Sequence, residues 1–120
     1  MYYKSFKVNG QEDIDDFLLM VDETYYKYSE LTRKDFFAQN STKIFKTNIL
    51  DRLEFEVVDQ SLKKSKNLFF TNLFTVDVQI LDTNHESSVL KIKHKFSNQK
   101  GELCAIIICN IHWYFKVIAH

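Results

Sequence analysis

A cluster of aspartates precedes the first helical pattern in the chain. Asp13, Asp15 and Asp16 stand close together just before an apolar stripe that starts at Val21. A carboxylate at this place could attack a carbonyl carbon or activate a water molecule, and the N–H groups of a helix N-terminus could hold the oxyanion that develops. Helix capping is the simpler interpretation, because a good N-cap residue stabilises a helix by about 0.5–2 kcal/mol.

Two further side chains with possible chemistry belong to the same predicted helix. Tyr25 lies on the stripe and Arg33 follows eight residues later, so the two project from similar faces about 12 Å apart along the axis. A guanidinium at this position could bind an oxyanion or a carboxylate. The simpler alternatives are an ion pair between Arg33 and Glu30, and a core position for Tyr25.

A single helix has to position these residues. The buried positions recur at steps of three and four, as on one side of an α-helix. They are Val21, Tyr25, Tyr28, Thr32 and Phe36. Acidic residues stand near the start of the stripe and Arg33 and Lys34 stand nearer its end, which suits the helix dipole. The pattern predicts a helix of about 15 to 20 residues that ends near Asn40.

The rest of the chain alternates apolar and polar residues with the period of β-strands. A first strand covers residues 2–8, before a turn signal at Gly10, and four more follow the helix. These four are the runs 52–58, 70–81, 90–96 and 103–118. The last run is apolar at both parities, which is typical of a strand inside a sheet. Short polar connections at 59–67, 82–87 and 97–102 predict that successive strands pair as antiparallel hairpins.

The order of one strand, one long helix and four strands predicts an α+β domain. One helix has to be wrapped by a curved antiparallel sheet of five or six strands, because no other element can cover its stripe. This is the hot dog arrangement. The alternative is a cone-shaped α+β barrel of the polyketide cyclase or nuclear transport factor type, which usually places several helices before its sheet.

The composition fits one domain spanning residues 1–120. A chain of 120 residues, 45% of them hydrophobic, is long enough for one domain with a core and too short for two ordinary domains. Sixteen basic residues balance sixteen acidic ones, so no overall field favours binding to nucleic acid or to an anionic membrane. The sequence contains no apolar run of about 20 residues and no apolar core of a signal peptide, so it predicts a cytoplasmic protein. In that compartment Cys104 and Cys109 are expected to be reduced and buried.

The helical segment resembles the acyl thioesterases of the hot dog superfamily, which include the 4-hydroxybenzoyl-CoA thioesterases and the thioesterases of enediyne polyketide pathways. That family opens its helix with an Asp-x-Asp-x-x-Gly type motif, followed by a Tyr, an aromatic residue, an acidic residue and an aromatic pair. The matching residues here are Asp13, Asp15, Tyr25, Tyr28, Glu30, Phe36 and Phe37. Leu18 and Leu19 stand where the family has its glycine.

The resemblance implies catalytic roles for three residues. In the benzoyl-CoA enzymes the second Asp of the motif is the catalytic carboxylate, and its counterpart is Asp15. In the enediyne enzymes an Arg and a Tyr are implicated, and their counterparts are Arg33 and Tyr25. No cofactor is expected, because thioester hydrolysis needs only water, and no metal is expected, because the four histidines show no metal-ligand spacing.

Two groups of lysines are candidate substrate contacts. Lys63, Lys64 and Lys66 form a basic loop, and Lys91 and Lys93 line one face of a predicted strand. They could receive the phosphates of coenzyme A or the acidic surface of an acyl carrier protein. A solvated strand face with lysines that guard its edge is the simpler interpretation.

The resemblance therefore implies an acyl thioesterase that hydrolyses acyl-CoA or acyl carrier protein thioesters in fatty-acid or polyketide metabolism. Hot dog enzymes of this kind form a homodimer or a dimer of dimers, and the same is expected here. Without the motif glycine the backbone cannot approach a thioester carbonyl as easily. A non-catalytic hot dog domain that binds an acyl group or a partner protein is thus the alternative.

Overall fold

The structure is a computed structural model that describes residues 2–45 and 53–115, with side chains described for 2–40 and 53–115. Within these ranges the chain forms one helix and five strands. They are β1 (Tyr2–Lys7), α1 (Asp22–Phe45), β2 (Leu53–Lys64), β3 (Leu73–Asn84), β4 (Val89–Asn98) and β5 (Leu103–Phe115). Residue 52 of one predicted strand and residues 116–118 of another lie outside the described residues.

The five strands form one antiparallel sheet in the order β1-β3-β4-β5-β2. β5, which is apolar at both parities, pairs with β4 on one side and with β2 on the other, so its interior position is confirmed. The predicted hairpins between β3 and β4 and between β4 and β5 are also present. The prediction that β2 pairs with β3 is wrong, because β3 pairs with β1 instead.

The connection between β2 and β3 explains this error. Most of its backbone groups bond to other parts of the chain, and its one tight turn, in which Asn72 N donates to Phe69 O at 3.0 Å, comes just before β3 and does not join β3 to β2. Ser65 N and Lys66 N donate to Cys104 O at 2.8 and 3.1 Å, and Leu68 O accepts from Met20 N at 2.8 Å. The chain therefore crosses the end of the sheet between these two strands, and a polar connection read from sequence does not show such a crossing.

Strand β2 is longer than its sequence pattern predicts. Residues 59–64 were expected in a loop, yet they pair with β5 as far as Lys64 opposite Ala105. The register shifts between Val57 and Asp59, and a bulge of this kind reverses which parity faces the core. The simple alternation ends at the bulge, which is why the second half of the strand reads as a polar connection.

Helix α1 packs its predicted stripe against one face of the sheet. Tyr25, Tyr28 and Thr32 are all buried, as the three-and-four spacing predicts. Asn40, the predicted end, has non-helical backbone angles (φ −126°, ψ 15°), and helical structure resumes beyond it as far as Phe45. No helix in the described ranges has the length and apolar character needed to cross a membrane.

The core under α1 consists of two clusters. The first surrounds Tyr25 and Tyr28, whose rings make edge-on contacts with Phe96 and Phe74 at centroid distances of 5.1 and 5.2 Å. The second surrounds Phe37 and contains buried aliphatic residues of β4 and β5. Along α1, the buried Arg33 lies between the two clusters, so a charged side chain separates the two apolar parts of the core.

Candidate functional site

The segment that joins β1 to α1 forms a small hairpin, residues 13–21. Ile14 and Met20 make an antiparallel bridge, and Val21 N donates to Asp13 O at 3.0 Å. One limb of the hairpin pairs with the chain around Phe69, where Phe70 N donates to Leu18 O at 2.8 Å. Residues 15–18 at its tip are exposed. The hairpin thus carries the predicted carboxylate on a tip that its two limbs hold in place.

Asp13 anchors the hairpin to α1. Its side chain is 1% exposed and accepts hydrogen bonds from Lys27 Nζ at 2.6 Å, Tyr28 Oη at 2.5 Å and Asn9 N at 3.1 Å. Burial acts to raise the pKa of Asp13, but the bonds from Lys27, Tyr28 and the Asn9 N–H outweigh it and lower the pKa below its usual value. Asp13 is therefore an ionised structural carboxylate.

Asp15 organises the tip of the hairpin. Its Oδ1 accepts hydrogen bonds from Phe17 N at 2.8 Å and Leu19 N at 3.1 Å, the pattern of an Asx turn. None of the described residues bonds to its Oδ2. The carboxylate is exposed, so it is fixed by the turn through one oxygen and keeps the other available to a substrate or to water.

Leu18 has a backbone conformation that favours glycine. Its φ is 65°, in the left-handed region that costs a side chain with a Cβ about 1–2 kcal/mol. The family motif places its glycine at this part of the segment. The local backbone thus keeps the shape that a glycine would adopt, while a leucine side chain, 52% exposed, occupies the space next to Asp15.

The N-terminus of α1 has no side-chain cap among the described residues. Val21 O accepts from Thr24 N at 3.0 Å and Tyr25 N at 3.4 Å, which places the apolar Val21 at the N-cap. Asp13 and Asp15 use their carboxylates elsewhere, so the capping interpretation fails for both. The N–H groups of Asp22 and Glu23 have no acceptor in the described residues, and they remain able to bind an oxyanion.

Tyr25 is a core residue in this structure. It is 1% exposed and packs against Phe96. Burial raises the pKa of Tyr25 to about 12, so its hydroxyl is protonated at neutral pH. The predicted catalytic role of Tyr25 stays a prediction.

Arg33 is buried against the sheet and has unusual partners. It is 5% exposed, and its Nη1 lies 3.3 Å from His94 Nε2 and 3.8 Å from Cys109 Sγ. The expected ion pair with Glu30 is absent among the described residues, because Glu30 pairs with Lys34 at 3.0 Å. Burial lowers the pKa of Arg33, against opposing effects of Cys109 and Glu30. The guanidinium still carries its charge at neutral pH.

His94 is the partner that the sequence did not single out. Its Nδ1 lies 2.7 Å from Asp77 O, so Nδ1 carries the proton and Nε2 accepts from Arg33. Burial lowers the pKa of His94 to about 4, and the nearby charge of Arg33 adds to the effect. The imidazole is therefore neutral. The available signal was its place among the alternating apolar residues of β4, which marks an inward-facing position.

A pocket of about 70 Å³ opens between α1 and β2 next to Arg33. Its apolar wall is formed by Phe37, Phe55, Val57 and Ile111, and its charged part by Glu30, Arg33 and Lys34. The rings of Phe37 and Phe55 stack at 4.6 Å with an interplanar angle of 15°. Exposed Glu30 and Lys34 place the mouth at the protein surface.

The three predicted catalytic residues do not form one cluster in a single chain. Tyr25 and Arg33 are separated by about 12 Å along α1, and Asp15 lies on the hairpin that precedes the helix. No hydrogen bond joins any two of them in the described residues. Within one chain, therefore, Asp15 belongs to the hairpin and the start of α1, and Arg33 belongs to the pocket beside β2.

The candidate lysines fall on two faces of the sheet. Lys64 pairs with Asp22 at 2.5 Å and Lys66 pairs with Glu102, both near the start of α1. Lys91 and Lys93 alternate with buried residues and lie on the face opposite α1, as does Lys63. The structure does not bring the five lysines into one patch. Within the described residues no group of three or more His, Cys, Asp or Glu side chains could hold a metal ion.

Several solved structures share this architecture. Gentisyl-coenzyme A thioesterase superposes with a TM-score of 0.80 at 18% identity and covers 95% of this chain and 89% of its own. A hypothetical protein from Staphylococcus aureus in complex with CoA gives 0.78 at 15% identity, with coverages of 98% and 75%. The probable thioesterase YbaW from Escherichia coli gives 0.76 at 16% identity, with coverages of 92% and 80%.

No protein-family model and no curated protein sequence matches the chain. At these identities the structural similarity establishes the fold alone. One helix against a five-stranded antiparallel sheet, in the described residues, is the arrangement of these neighbours and excludes the cone-shaped barrel. The chain has the hot dog fold, as predicted from its sequence.

Proposed function

We propose that the protein is an acyl thioesterase that hydrolyses thioesters of coenzyme A or of an acyl carrier protein. The observation that carries this proposal is the junction between the 13–21 hairpin and α1. A carboxylate with one free oxygen, Asp15, precedes a helix start whose first N–H groups, at Asp22 and Glu23, lack acceptors in the described residues. Structural neighbours with coenzyme A thioesterase activity in their names support the same chemistry.

The reaction needs a carboxylate and donors for the oxyanion. In one route Asp15 Oδ2 attacks the thioester carbonyl carbon, the C–S bond breaks and the thiolate leaves, and water then hydrolyses the mixed anhydride to restore the carboxylate. In the other route Asp15 accepts a proton from water as that water attacks the carbonyl, and the tetrahedral intermediate then breaks its C–S bond and releases the thiolate, which takes up a proton. In both routes the N–H groups of Asp22 and Glu23 are the proposed oxyanion donors.

The proposed active site includes a second copy of the chain. Asp15 is exposed in one chain, whereas acyl-transfer chemistry gains most from donors in a site that excludes water. β2 lies at the edge of the sheet and pairs with β5 alone in the described residues. We expect two chains to join along β2 as a homodimer, alone or as half of a dimer of dimers, with the site between subunits.

The lysines have different places in this proposal. Lys64 and Lys66 lie near the start of α1, where the phosphates of coenzyme A would accompany a thioester bound at that end. Lys63, Lys91 and Lys93 lie on the opposite face, so they would serve an acidic carrier protein or none. Fatty-acid and polyketide metabolism remain the predicted pathways.

The first test replaces Asp15 with Asn and follows thiol release from a panel of acyl-CoA and acyl carrier protein thioesters. Asn keeps the Oδ1 acceptor of the turn but cannot attack the carbonyl or accept a proton, so we expect a loss of at least about 100-fold in kcat/KM. Asp16→Asn is the matched control, because Asp16 is an exposed neighbour, and it should retain activity. Full activity in Asp15→Asn, or an equal loss in both variants, contradicts the proposal.

A non-catalytic hot dog domain that binds an acyl group or a partner protein is the second candidate. It is favoured by Leu18, whose side chain stands beside Asp15 where the motif has glycine. This candidate predicts that the wild-type protein binds acyl thioesters without releasing thiol. Measurable turnover that Asp15→Asn removes would exclude it.

A further inference from the structure

The pocket beside Arg33 has an imbalance of charge. Arg33 and Lys34 bring two positive charges to its lining and Glu30 brings one negative charge. Glu30 and Lys34 pair with each other. Arg33 has no carboxylate within ion-pairing distance among the described residues, and its hydrogen-bond partners there are a neutral imidazole and a thiol. Among the described residues, the pocket therefore has one uncompensated positive charge at its buried end.

A buried cation without a counter-ion is costly unless something pairs with it. His94 Nε2 is a neutral acceptor and Cys109 Sγ is a weak one, and burial raises the pKa of the Cys109 thiol, so it does not ionise to balance the charge. Only Nη1 of Arg33 has a partner in the described residues. A guanidinium offers five N–H donors in a planar fork, which leaves a face suited to an anion.

The apolar side chains of the pocket indicate which kind of anion fits it. The other described lining residues, Phe37, Phe55, Val57 and Ile111, are apolar, so they favour a ligand that is apolar along its length and anionic at one end. About 70 Å³ suffices for a carboxylate with a few carbon atoms. A phosphate would bring no apolar part to match this wall. We propose that this pocket binds the carboxylate of a short organic acid, free or at the end of an acyl group, and that Arg33 is its anion partner.

The test is a titration of the intact protein with pentanoate and with pentanamide, which is neutral and nearly isosteric. We follow backbone amide signals and the Arg33 Nε–H signal by NMR. Pentanoate should shift the signals of Arg33, Phe37 and Val57 in a saturable way, and pentanamide should bind at least about ten-fold more weakly, because it forms no charge-assisted bonds. Equal binding of acid and amide, or shifts elsewhere in the protein, overturns the inference.

Two variants locate the charge that is responsible. Arg33→Met keeps a long unbranched side chain but removes the guanidinium and its charge, and it should lose the preference for the acid. Lys34→Met is the matched control for a charge at the mouth and should retain that preference. A folded Arg33→Met that still prefers pentanoate, or a loss in Lys34→Met alone, overturns the inference. If Arg33→Met does not fold, two measurements still test the inference: the comparison of acid and amide binding to the wild type, and the acid preference of Lys34→Met.

A separate measurement distinguishes the two sources of the carboxylate and keeps the inference apart from the proposed activity. Binding of non-hydrolysable thioether analogues of glutaryl-CoA and pentanoyl-CoA is compared by calorimetry. A preference of at least about ten-fold for the glutaryl analogue assigns the pocket to the end of an acyl group, and pentanoate binding without that preference assigns it to a free acid. Neither result depends on hydrolysis. Binding of a carboxylate in this pocket can therefore be confirmed even if the protein has no thioesterase activity.

Discussion

At the scale of single residues, the 13–21 hairpin shows how neighbouring acidic residues acquire different roles. Asp13 is buried and tied to α1 by Lys27 and Tyr28, whereas Asp15 is exposed and turns the chain through one oxygen. Sequence spacing identified both as candidates. Asp13 is the anchoring residue because it contacts residues fourteen and fifteen positions away. The spacing of the aspartates alone could not show which of the two is buried and which is available to a substrate.

Leu18 provides a prediction at this scale. Leu18→Gly removes the left-handed strain of a residue with a Cβ, about 1–2 kcal/mol, against an entropic cost of about 0.5–1 kcal/mol for glycine. We expect a net gain of about 0.5–1 kcal/mol in the free energy of unfolding measured in urea. Leu19→Gly is the control, since Leu19 is not among the residues with positive φ, and it should lose stability. A loss in Leu18→Gly as large as that in Leu19→Gly contradicts this account.

At the scale of elements, the periodicity of the sequence located the helix, most of β1, β3, β4 and β5, and the first half of β2. The stripe of α1 is buried as expected, and Asn40 is the point at which its regular geometry breaks. β2 is longer than its sequence pattern predicts, because after the bulge the even-numbered residues, and no longer the odd-numbered ones, face the core. A period of two is a local property, so one inserted residue is enough to conceal the second half of a strand.

The contact of the hairpin with α1 gives a prediction about pH. The folded pKa of Asp13 is lowered, so its stabilising contribution is fully present above the pKa of an unfolded aspartate, about 3.9, and is lost as pH falls through the folded value. Asp13→Asn should lower the free energy of unfolding by about 1–3 kcal/mol at pH 7, and the gap to wild type should narrow in acid. Asp16→Asn serves as control, and a gap independent of pH contradicts the assignment.

At the scale of the whole molecule, the hot dog fold places one edge of the sheet at β2. Among the described residues, no strand pairs with the outer edge of the twelve-residue β2; such an edge is a template for another strand, and Val58 at its bulge is 60% exposed. This edge is adjacent to the pocket and is where the homodimer is proposed. The oligomeric state therefore decides whether the pocket and the hairpin are completed by a second chain.

Light scattering after gel filtration tests the dimer. The wild type should have twice the mass of one chain, or four times if dimers pair, and Val58→Lys should shift it towards the single chain by placing a charge in the proposed interface. Leu81→Lys is the matched control, because Leu81 is also apolar, exposed and at a register shift but belongs to β3, which is separated from β2 by β4 and β5. A wild-type protein with the mass of one chain rules out the homodimer.

The sequence by itself determined the order of elements, the buried stripe of α1, the interior position of β5 and hence the hot dog fold. These follow from periodicity and from apolar content, which are properties of neighbouring residues. Only the tertiary structure decided that β2 pairs with β5 and that Asp13 fixes the hairpin to α1. It alone also decided that Arg33 contacts His94 of β4 and Cys109 of β5. The two contacts of Arg33 join residues more than sixty positions apart, and no local pattern encodes which distant side chains will share a buried space.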